Sequence, residues 1–284
     1  MDIPITTWHG EASQSKKEII IANPRGIVLI TPESIEAMLV NKSELAKTFF
    51  LDVEYIIVDE IHSFLWGNRG LQLKSLLERI LRYTNNTPRM IGLSATIGEE
   101  NYNLAKEFFN NGLDTNILVD KSRNDLDFTI DYFNTEKVSE DVISKLREYA
   151  LDGPMLIFPN SRDKVETIAV KLNQLFKEKG EDIKVFAHHS SVSKQKRSEI
   201  ENFAKDAKKE KFAICATSTL ELGIDIGAVT SVSQYGSAHN VLTLAQRLGR
   251  SGRISKTSIL HQISTNPWEL LEALATIKLY QDSI

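Results

Sequence analysis

The sequence predicts an α/β protein of two domains, each a mostly parallel sheet flanked by helices. Three observations predict it. Short apolar runs, most of them rich in β-branched residues, recur at Ile27–Ile30, Tyr55–Val58, Met90–Leu93, Met155–Phe158, Phe212–Ala216 and Ser231–Tyr235. Most end in a polar turn, and stretches with helical spacing lie between them. The alternation breaks once, between residues 116 and 133, where Lys121-Ser-Arg-Asn-Asp is polar and charged. That break is where the domain boundary is expected.

A chain of 284 residues is long enough for two ordinary domains. Its 42% hydrophobic and 25% charged content describes a packed protein rather than a disordered one. The net charge of −4 exerts no overall pull on nucleic acid, although a local basic groove is compatible with it. No apolar run approaches the ~20 residues that span a bilayer. Met1-Asp2-Ile3-Pro4 lacks the basic-then-apolar pattern of a secretory signal. The one cysteine, Cys215, lies in the apolar run Phe212-Ala-Ile-Cys-Ala and reads as a buried small hydrophobe without an internal disulfide partner. It suits a reducing cytoplasm, the expected location.

Taken in order, Trp8-His9-Gly10-Glu11 precedes a capped helix start at Ser13 to Glu18, and Asn23-Pro24-Arg25-Gly26 ends that helix. Ile27–Ile30 is predicted as a buried strand. Thr31-Pro32-Glu33-Ser34 follows as its turn, and helix resumes at Ile35. Turns of this kind, at the carboxyl ends of strands, are where open α/β sheets bind ligands. Tyr55–Val58 is predicted as a central strand running into Asp59-Glu60-Ile61-His62. Leu73, Leu76, Leu77, Ile80 and Leu81 then share a helical face, and Met90–Leu93 is a strand ending in Ser94-Ala95-Thr96. Past the break, Met155–Phe158 ends in Pro159-Asn160-Ser161-Arg162, and a helix runs from Val165 to Phe176. Ile183–Phe186 leads to Ala187-His188-His189-Ser190-Ser191, a polar strand end. Lys194 to Lys211 reads as a helix of mixed charge with a solvated face. Phe212–Ala216 is a buried strand ending in Thr217-Ser218-Thr219, and Ser231–Tyr235 leads to the arginine-rich stretch Gln246 to Arg253.

Two of these turns carry chemistry. Asp59-Glu60 puts adjacent carboxylates at the end of a strand expected to be buried, where unpaired charge is costly. Mg²⁺ is one explanation, since it takes one or two carboxylates with phosphate oxygens and water while a second acid acts on the attacking water. A helix cap is the other. Gln246-Arg247-Leu248-Gly249-Arg250-Ser251-Gly252-Arg253 combines glycines, which allow close backbone approach, with guanidinium forks that match phosphate. Arg250 and Arg253, three apart, share a side over one helical turn. That stretch reads as a polyphosphate grip or as a solvated basic turn. His62 and His188-His189 lack zinc-site spacing, and no serine sits in a Gly-x-Ser-x-Gly elbow.

Together, Val58-Asp59-Glu60-Ile61-His62, Ser94-Ala95-Thr96, Thr217 through Asp225, and Gln246 through Arg253 resemble, in order, four motifs of the superfamily-two DEAD/DEAH-box helicases. These are the Walker B box, the Ser-Ala-Thr motif, the inter-domain motif and the arginine-finger motif. Trp8-His9-Gly10 and Thr31-Pro32-Glu33-Ser34 resemble the large-helicase-related (Lhr) group in particular. The resemblance implies two RecA-like domains, the C-terminal part of the first at 1–125 and the second at 126–284, with ATP hydrolysed at the cleft between them. It implies ATP and Mg²⁺ as cofactors. It makes Asp59 the Mg²⁺ holder through water, Glu60 the residue that activates water, Gln246 a bridge to that box, and Arg250 and Arg253 the fingers on the γ-phosphate. Gly223 and Asp225 would approach the nucleotide. Ser94, Ala95 and Thr96 would couple hydrolysis to the strand groove. Thr31, Pro32, Ser161, Arg162 and Thr217 would hold the phosphates of a single-stranded tract of DNA or RNA.

The sequence departs from that pattern in lacking the phosphate-binding loop, the adenine-reading segment and the first strand-contacting motif. It contains no Gly-Lys pair, and so no Gly-x-x-x-x-Gly-Lys-Ser/Thr loop to cradle the β- and γ-phosphates. Gly10-Glu-Ala-Ser-Gln-Ser-Lys16 lacks the second glycine and the following hydroxyl. The first domain is therefore expected to be incomplete and the less stable of the two, with a separate N-terminal helicase piece as a partner. The alternative is a non-catalytic fragment that binds nucleic acid or a protein.

Overall fold

A computed structural model describes residues 3–8, 14–94, 97–109, 113–120, 124–207, 210–220, 229–251 and 256–283. The chain divides into two compact units, Met1–Val119 and Asp120–Ile284.

The first unit runs β1 (Ile5–Trp8), α1 (Gln14–Ala22), β2 (Ile27–Ile30), α2 (Pro32–Asn41), α3 (Ser43–Phe50), β3 (Tyr55–Val58), α4 (Gly67–Leu81), β4 (Arg89–Gly92) and α5 (Tyr102–Phe108). β1 pairs in parallel with β2, and β3 with β4, giving two two-stranded sheets among the described residues. The 3.6-residue spacing in α4 turns Leu73, Leu76, Leu77 and Ile80 inward. They share one core with Trp8, Met38, Leu39 and Val58, against which Val28, Ile30, Ile56 and Met90 also pack. Alternate strand residues point the other way. Ile5, Ile27, Leu29, Tyr55, Ile57, Ile91 and Leu93 are exposed, Leu29 at 55% and Ile57 at 56%. The strands expected to be buried are thus half-buried. Their apolar runs suit a parallel sheet covered on both faces, and the described helices cover one.

The second unit comprises β5 (Asp125–Tyr132), α6 (Glu140–Ala150), β6 (Met155–Pro159), α7 (Arg162–Glu178), β7 (Lys184–His188), α8 (Lys194–Asp206), β8 (Phe212–Ala216), β9 (Ser231–Tyr235), α9 (Val241–Leu248), β10 (Thr257–Ser264) and α10 (Pro267–Ser283). One six-stranded parallel sheet, in the order β5-β10-β9-β6-β8-β7, forms its centre. Here both faces are covered. Met155 and Ile157 of β6 join a core with Val142 and Leu146 of α6 and Ile168 and Leu172 of α7. Leu156 and Phe158 join the opposite core, with Leu244 and Leu248 of α9 and Ile277 of α10. The period of two along β6 therefore feeds two layers. Cys215 is fully buried, and burial pushes its thiol well up. No described helix is long and apolar enough to cross a membrane.

β10 has a titratable group inside the sheet. His261 is stacked on Tyr149, with ring centroids 3.6 Å apart, and its Nδ1 is 2.9 Å from the Thr129 hydroxyl. Burial lowers it to about 4, against the pull of Asp131, Asp152 and Asp127 and with help from Lys145. The folded chain keeps this imidazole neutral where an unfolded chain, titrating near 6.5, takes up a proton. Its contribution is complete above pH 6.5 and declines as pH falls toward 4. Its upper bound is about 3 kcal/mol. Urea midpoints at pH 7 and pH 4.5 should show His261→Gln losing less stability on acidification than the parent chain. Equal losses would remove His261 from the acid sensitivity.

Candidate functional site

In the first unit β3 delivers the chain into the Asp59-Glu60 turn. Two backbone bonds fix the turn against the end of β4, Ile61 N to Leu93 O and Leu93 N to Val58 O, each 2.9 Å. Asp59 is exposed, and its Oδ1 accepts from Glu60 N at 3.0 Å. Glu60 stands at φ 52° and ψ 46°, in the left-handed region. That conformation costs a non-glycine residue on the order of 1 kcal/mol and is over-represented at functional sites. The backbone amide and hydroxyl of Ser63 both donate to Glu60 O at 2.9 Å and hold the strained residue in place.

The turn re-aims the Glu60 carboxylate. Its Oε2 is buried without a well-directed hydrogen bond and lies 3.3 Å from His62 Nδ1. The same Nδ1 is 2.9 Å from Ser94 Oγ at the end of β4. Glu60 and Ser94, identified separately in the sequence, are thus linked through His62, a residue the sequence reading set aside. The expectation that burial makes both acids costly is corrected. Asp59 faces solvent because the strand ends before it, and only the Glu60 oxygen is buried. Nor does either acid cap a helix: the Glu60 side chain makes no capping bond to the 3-10 turn Ile61–Phe64 that follows. A solvent-facing carboxylate beside a half-buried second acid fits the donor set that Mg²⁺ uses. Ala95 and Thr96 lie outside the described residues.

The two predicted strand-contacting turns share one construction. Thr31 caps α2, accepting from Ser34 N at 3.3 Å, with Pro32 in the first helical turn. Ser161 caps α7, accepting from Lys164 N at 3.3 Å. Each hydroxyl is committed to its helix, so an anion there would be met by remaining backbone N–H groups and the helix dipole. Arg162 Nη1 donates to Ser191 Oγ at 3.0 Å. Ser191 N in turn donates to His189 Nδ1 at 3.3 Å, and His189 Nε2 is 2.7 Å from Glu166 Oε1. Beside it, His188 is fully buried between Thr219 Oγ1 and Glu201 Oε1, each 2.9 Å away, and its carbonyl accepts from Thr217 N at 3.4 Å. Ser161, Arg162 and Thr217 are therefore gathered at the carboxyl ends of β6, β7 and β8. The bridge between them, His188 to Ser191, was legible only as a polar strand end.

The arginine stretch divides. α9 is capped by Asn240 and ends at Leu248, so Arg250 sits in the turn beyond it, half-buried. Gln246 is half-buried on the helix. Arg247 points inward. It is 6% exposed, donates to Gln234 Oε1 and lies 4.9 Å from the Phe158 ring centroid. It is a packed cation of the core rather than a fork offered to phosphate, which corrects the reading of every arginine in the stretch as a phosphate fork. Arg253, Gly223 and Asp225 lie outside the described residues, and with them the same-side arrangement expected of Arg250 and Arg253.

Parallel sheets flanked by helices, an acidic turn after one strand and a Gln-Arg helix after another fit the RecA-like class, and the chain belongs to the DEAD/DEAH-box helicase family. The family model "DEAD/DEAH box helicase" matches residues 2–104, and "Helicase conserved C-terminal domain" matches residues 136–255. Within the family the chain is similar to the ATP-dependent helicase Lhr-Core of Methanocaldococcus jannaschii, at 34% identity over 260 residues covering 88% of this chain and 29% of that one. It is also similar to Lhr-Core of Sulfolobus acidocaldarius, at 32% identity over 296 residues covering 99% and 33%. Among solved structures, helicase Lhr of Mycobacterium smegmatis, bound to single-stranded DNA and AMP-PNP, superposes with a TM-score of 0.85 at 27% identity, covering 99% of this chain and 37% of that one. The chain thus spans about a third of the length of the curated relatives it matches.

Proposed function

We propose that these residues supply the water-activating and arginine-bearing parts of an ATP-dependent nucleic-acid helicase or translocase. The observation that carries this reading is the Asp59-Glu60 turn, with its strained backbone and a buried carboxylate oxygen linked through His62 to Ser94. In this reading residues 1–125 are the C-terminal part of a first RecA-like domain and 126–284 are the second. Asp59 would hold Mg²⁺, which would supply charge neutralisation on the phosphates. Glu60 orients and deprotonates the attacking water. Gln246, Arg250 and Arg253 meet the charge that develops on the γ-phosphate, and Gly223 and Asp225 approach the nucleotide. Thr31, Pro32, Ser161, Arg162 and Thr217 grip the phosphates of a single strand. Ser94, Ala95 and Thr96 pass the state of the nucleotide to that grip.

The phosphate-binding loop is the missing chemistry, and we assign it to a segment other than these 284 residues. The open apolar faces of the first unit's sheets support that assignment. They also favour the second reading, a non-catalytic fragment, for the chain on its own. The test is ATP hydrolysis with single-stranded nucleic acid, measured for the chain alone and with an added segment carrying Gly-x-x-x-x-Gly-Lys-Thr. Glu60→Gln is the control. The expected result is turnover only in the combined sample, lost in the variant. Turnover by the chain alone that Glu60→Gln abolishes would overturn the argument about the loop. None in either sample would leave the non-catalytic reading.

A further inference from the structure

Arg162 and Glu166 stand four residues apart on α7, a spacing at which opposite charges on a helix surface meet. Here each is taken instead by the segment that follows β7. Arg162 Nη1 donates to Ser191 Oγ at 3.0 Å. Glu166 Oε1 lies 2.7 Å from His189 Nε2. Between the two, the Ser191 backbone N–H donates to His189 Nδ1 at 3.3 Å. Because Nδ1 accepts, the ring proton is assigned to Nε2, which donates to Glu166. His189 is 5% exposed, whereas Arg162, Glu166 and Ser191 face solvent. A buried imidazole with both nitrogens engaged thus fixes three groups at the surface.

This arrangement acts on Arg162 in two ways. The first is electrostatic. A guanidinium paired with its own carboxylate offers less charge to a phosphate, which must compete with that partner. His189 draws the nearest carboxylate on the helix face onto itself and leaves the Arg162 charge uncompensated by it. The second is conformational. Arginine carries several rotatable bonds, and freezing them on binding costs entropy. The Ser191 hydroxyl already holds the fork at Nη1, so the opposite edge, Nε and Nη2, is presented for a planar, two-point contact with phosphate oxygens. Ser191 is itself held through its backbone by His189.

We propose that His189 is a positioning residue for the nucleic-acid strand: it diverts the Glu166 carboxylate from Arg162 and, through Ser191, presets the Arg162 fork for a phosphate. His189 acts through Arg162 and does not itself meet the strand. This rests on the reading of Arg162 as a strand contact.

The test is fluorescence anisotropy of end-labelled oligo(dT) titrated with the 284-residue chain over a range of salt, at pH 8, above the ordinary histidine value. Each strand phosphate met by a cation adds roughly 0.7 to the slope of log affinity against log salt. Arg162→Ala should lower affinity about tenfold and the slope by about that amount. Ser191→Ala and His189→Leu remove no cation at this pH, yet each should lower affinity and reduce the slope in the same direction, because Arg162 is released. A segment with a packing role alone would leave the slope as it is. Either variant combined with Arg162→Ala should cost little beyond Arg162→Ala itself. Glu166→Gln added to His189→Leu should recover part of the affinity, since the freed carboxylate is gone. Ser191 is exposed, so its variant tests the same link if His189→Leu melts early. Parent-like slopes in Ser191→Ala and His189→Leu, or losses that add in full to that of Arg162→Ala, overturn the positioning role while the effect of Arg162→Ala leaves the strand reading standing. Affinity and slope unchanged in Arg162→Ala, or no binding by the parent chain, overturn the strand reading and the positioning role with it.

Discussion

Glu60→Gln is expected to lower nucleic-acid-stimulated ATP turnover about a thousandfold once the phosphate-binding loop is supplied. The same substitution is expected to leave the chain equally stable or more so. The two halves of this expectation come from one arrangement. Glu60 is held in the left-handed region with its Oε2 buried and unsatisfied, beside a histidine nitrogen 3.3 Å away. Removing its charge relieves a desolvation cost. A residue kept for packing would lose stability when changed, whereas one kept for chemistry loses turnover. Melting curves and steady-state turnover on the same preparations separate the cases. Parallel loss of both would make Glu60 structural, and unchanged turnover would remove it from the reaction.

How far the sequence reveals this protein depends on which physical term dominates each segment. β3, β6 and β8 were legible because an apolar, mostly β-branched run ending in a polar turn has few other solutions. β10 was not, since Ser258, His261, Gln262 and Ser264 break the apolar run that marks the other strands. They are buried all the same, because tertiary partners satisfy them: Gln262 Nε2 donates to Gly236 O at 2.9 Å, and His261 meets Thr129. Strand order was likewise hidden. β5 pairs with β10 across more than a hundred residues, a contact that no local pattern encodes. In the site, the acidic pair and the serine after β4 stood out as residue types, but their connection through His62 depends on a backbone angle at Glu60 that composition does not reveal. Arg247 shows the converse. Its motif reads as phosphate-binding, and yet its surroundings, Gln234 and the Phe158 ring, make it part of the core.

The second unit should outlast the first under conditions of partial unfolding. Six side chains on the open faces of the first unit, Ile27, Leu29, Tyr55, Ile57, Ile91 and Leu93, are between 38% and 56% exposed, whereas β6, β8 and β9 are buried throughout. Half-exposing a large apolar side chain forfeits roughly 1 kcal/mol, so the six together forfeit roughly 5 kcal/mol. Among the described residues each two-stranded sheet also has edges that no further strand pairs, where opening begins most readily. Native-state hydrogen exchange should therefore find the amides of β2, β3 and β4 protected some three orders of magnitude less than those of β6, β8 and β9, roughly the factor that 5 kcal/mol allows after denatured-state compaction is discounted. A segment that covers the open faces should raise protection in β2 to β4 and leave β6, β8 and β9 unchanged. Equal protection in the two units, with no segment added, would mean that the exposed faces cost little. The physical argument that assigns the phosphate-binding loop to a partner segment would then lose its support, leaving that assignment to rest on the missing Gly-Lys pair alone.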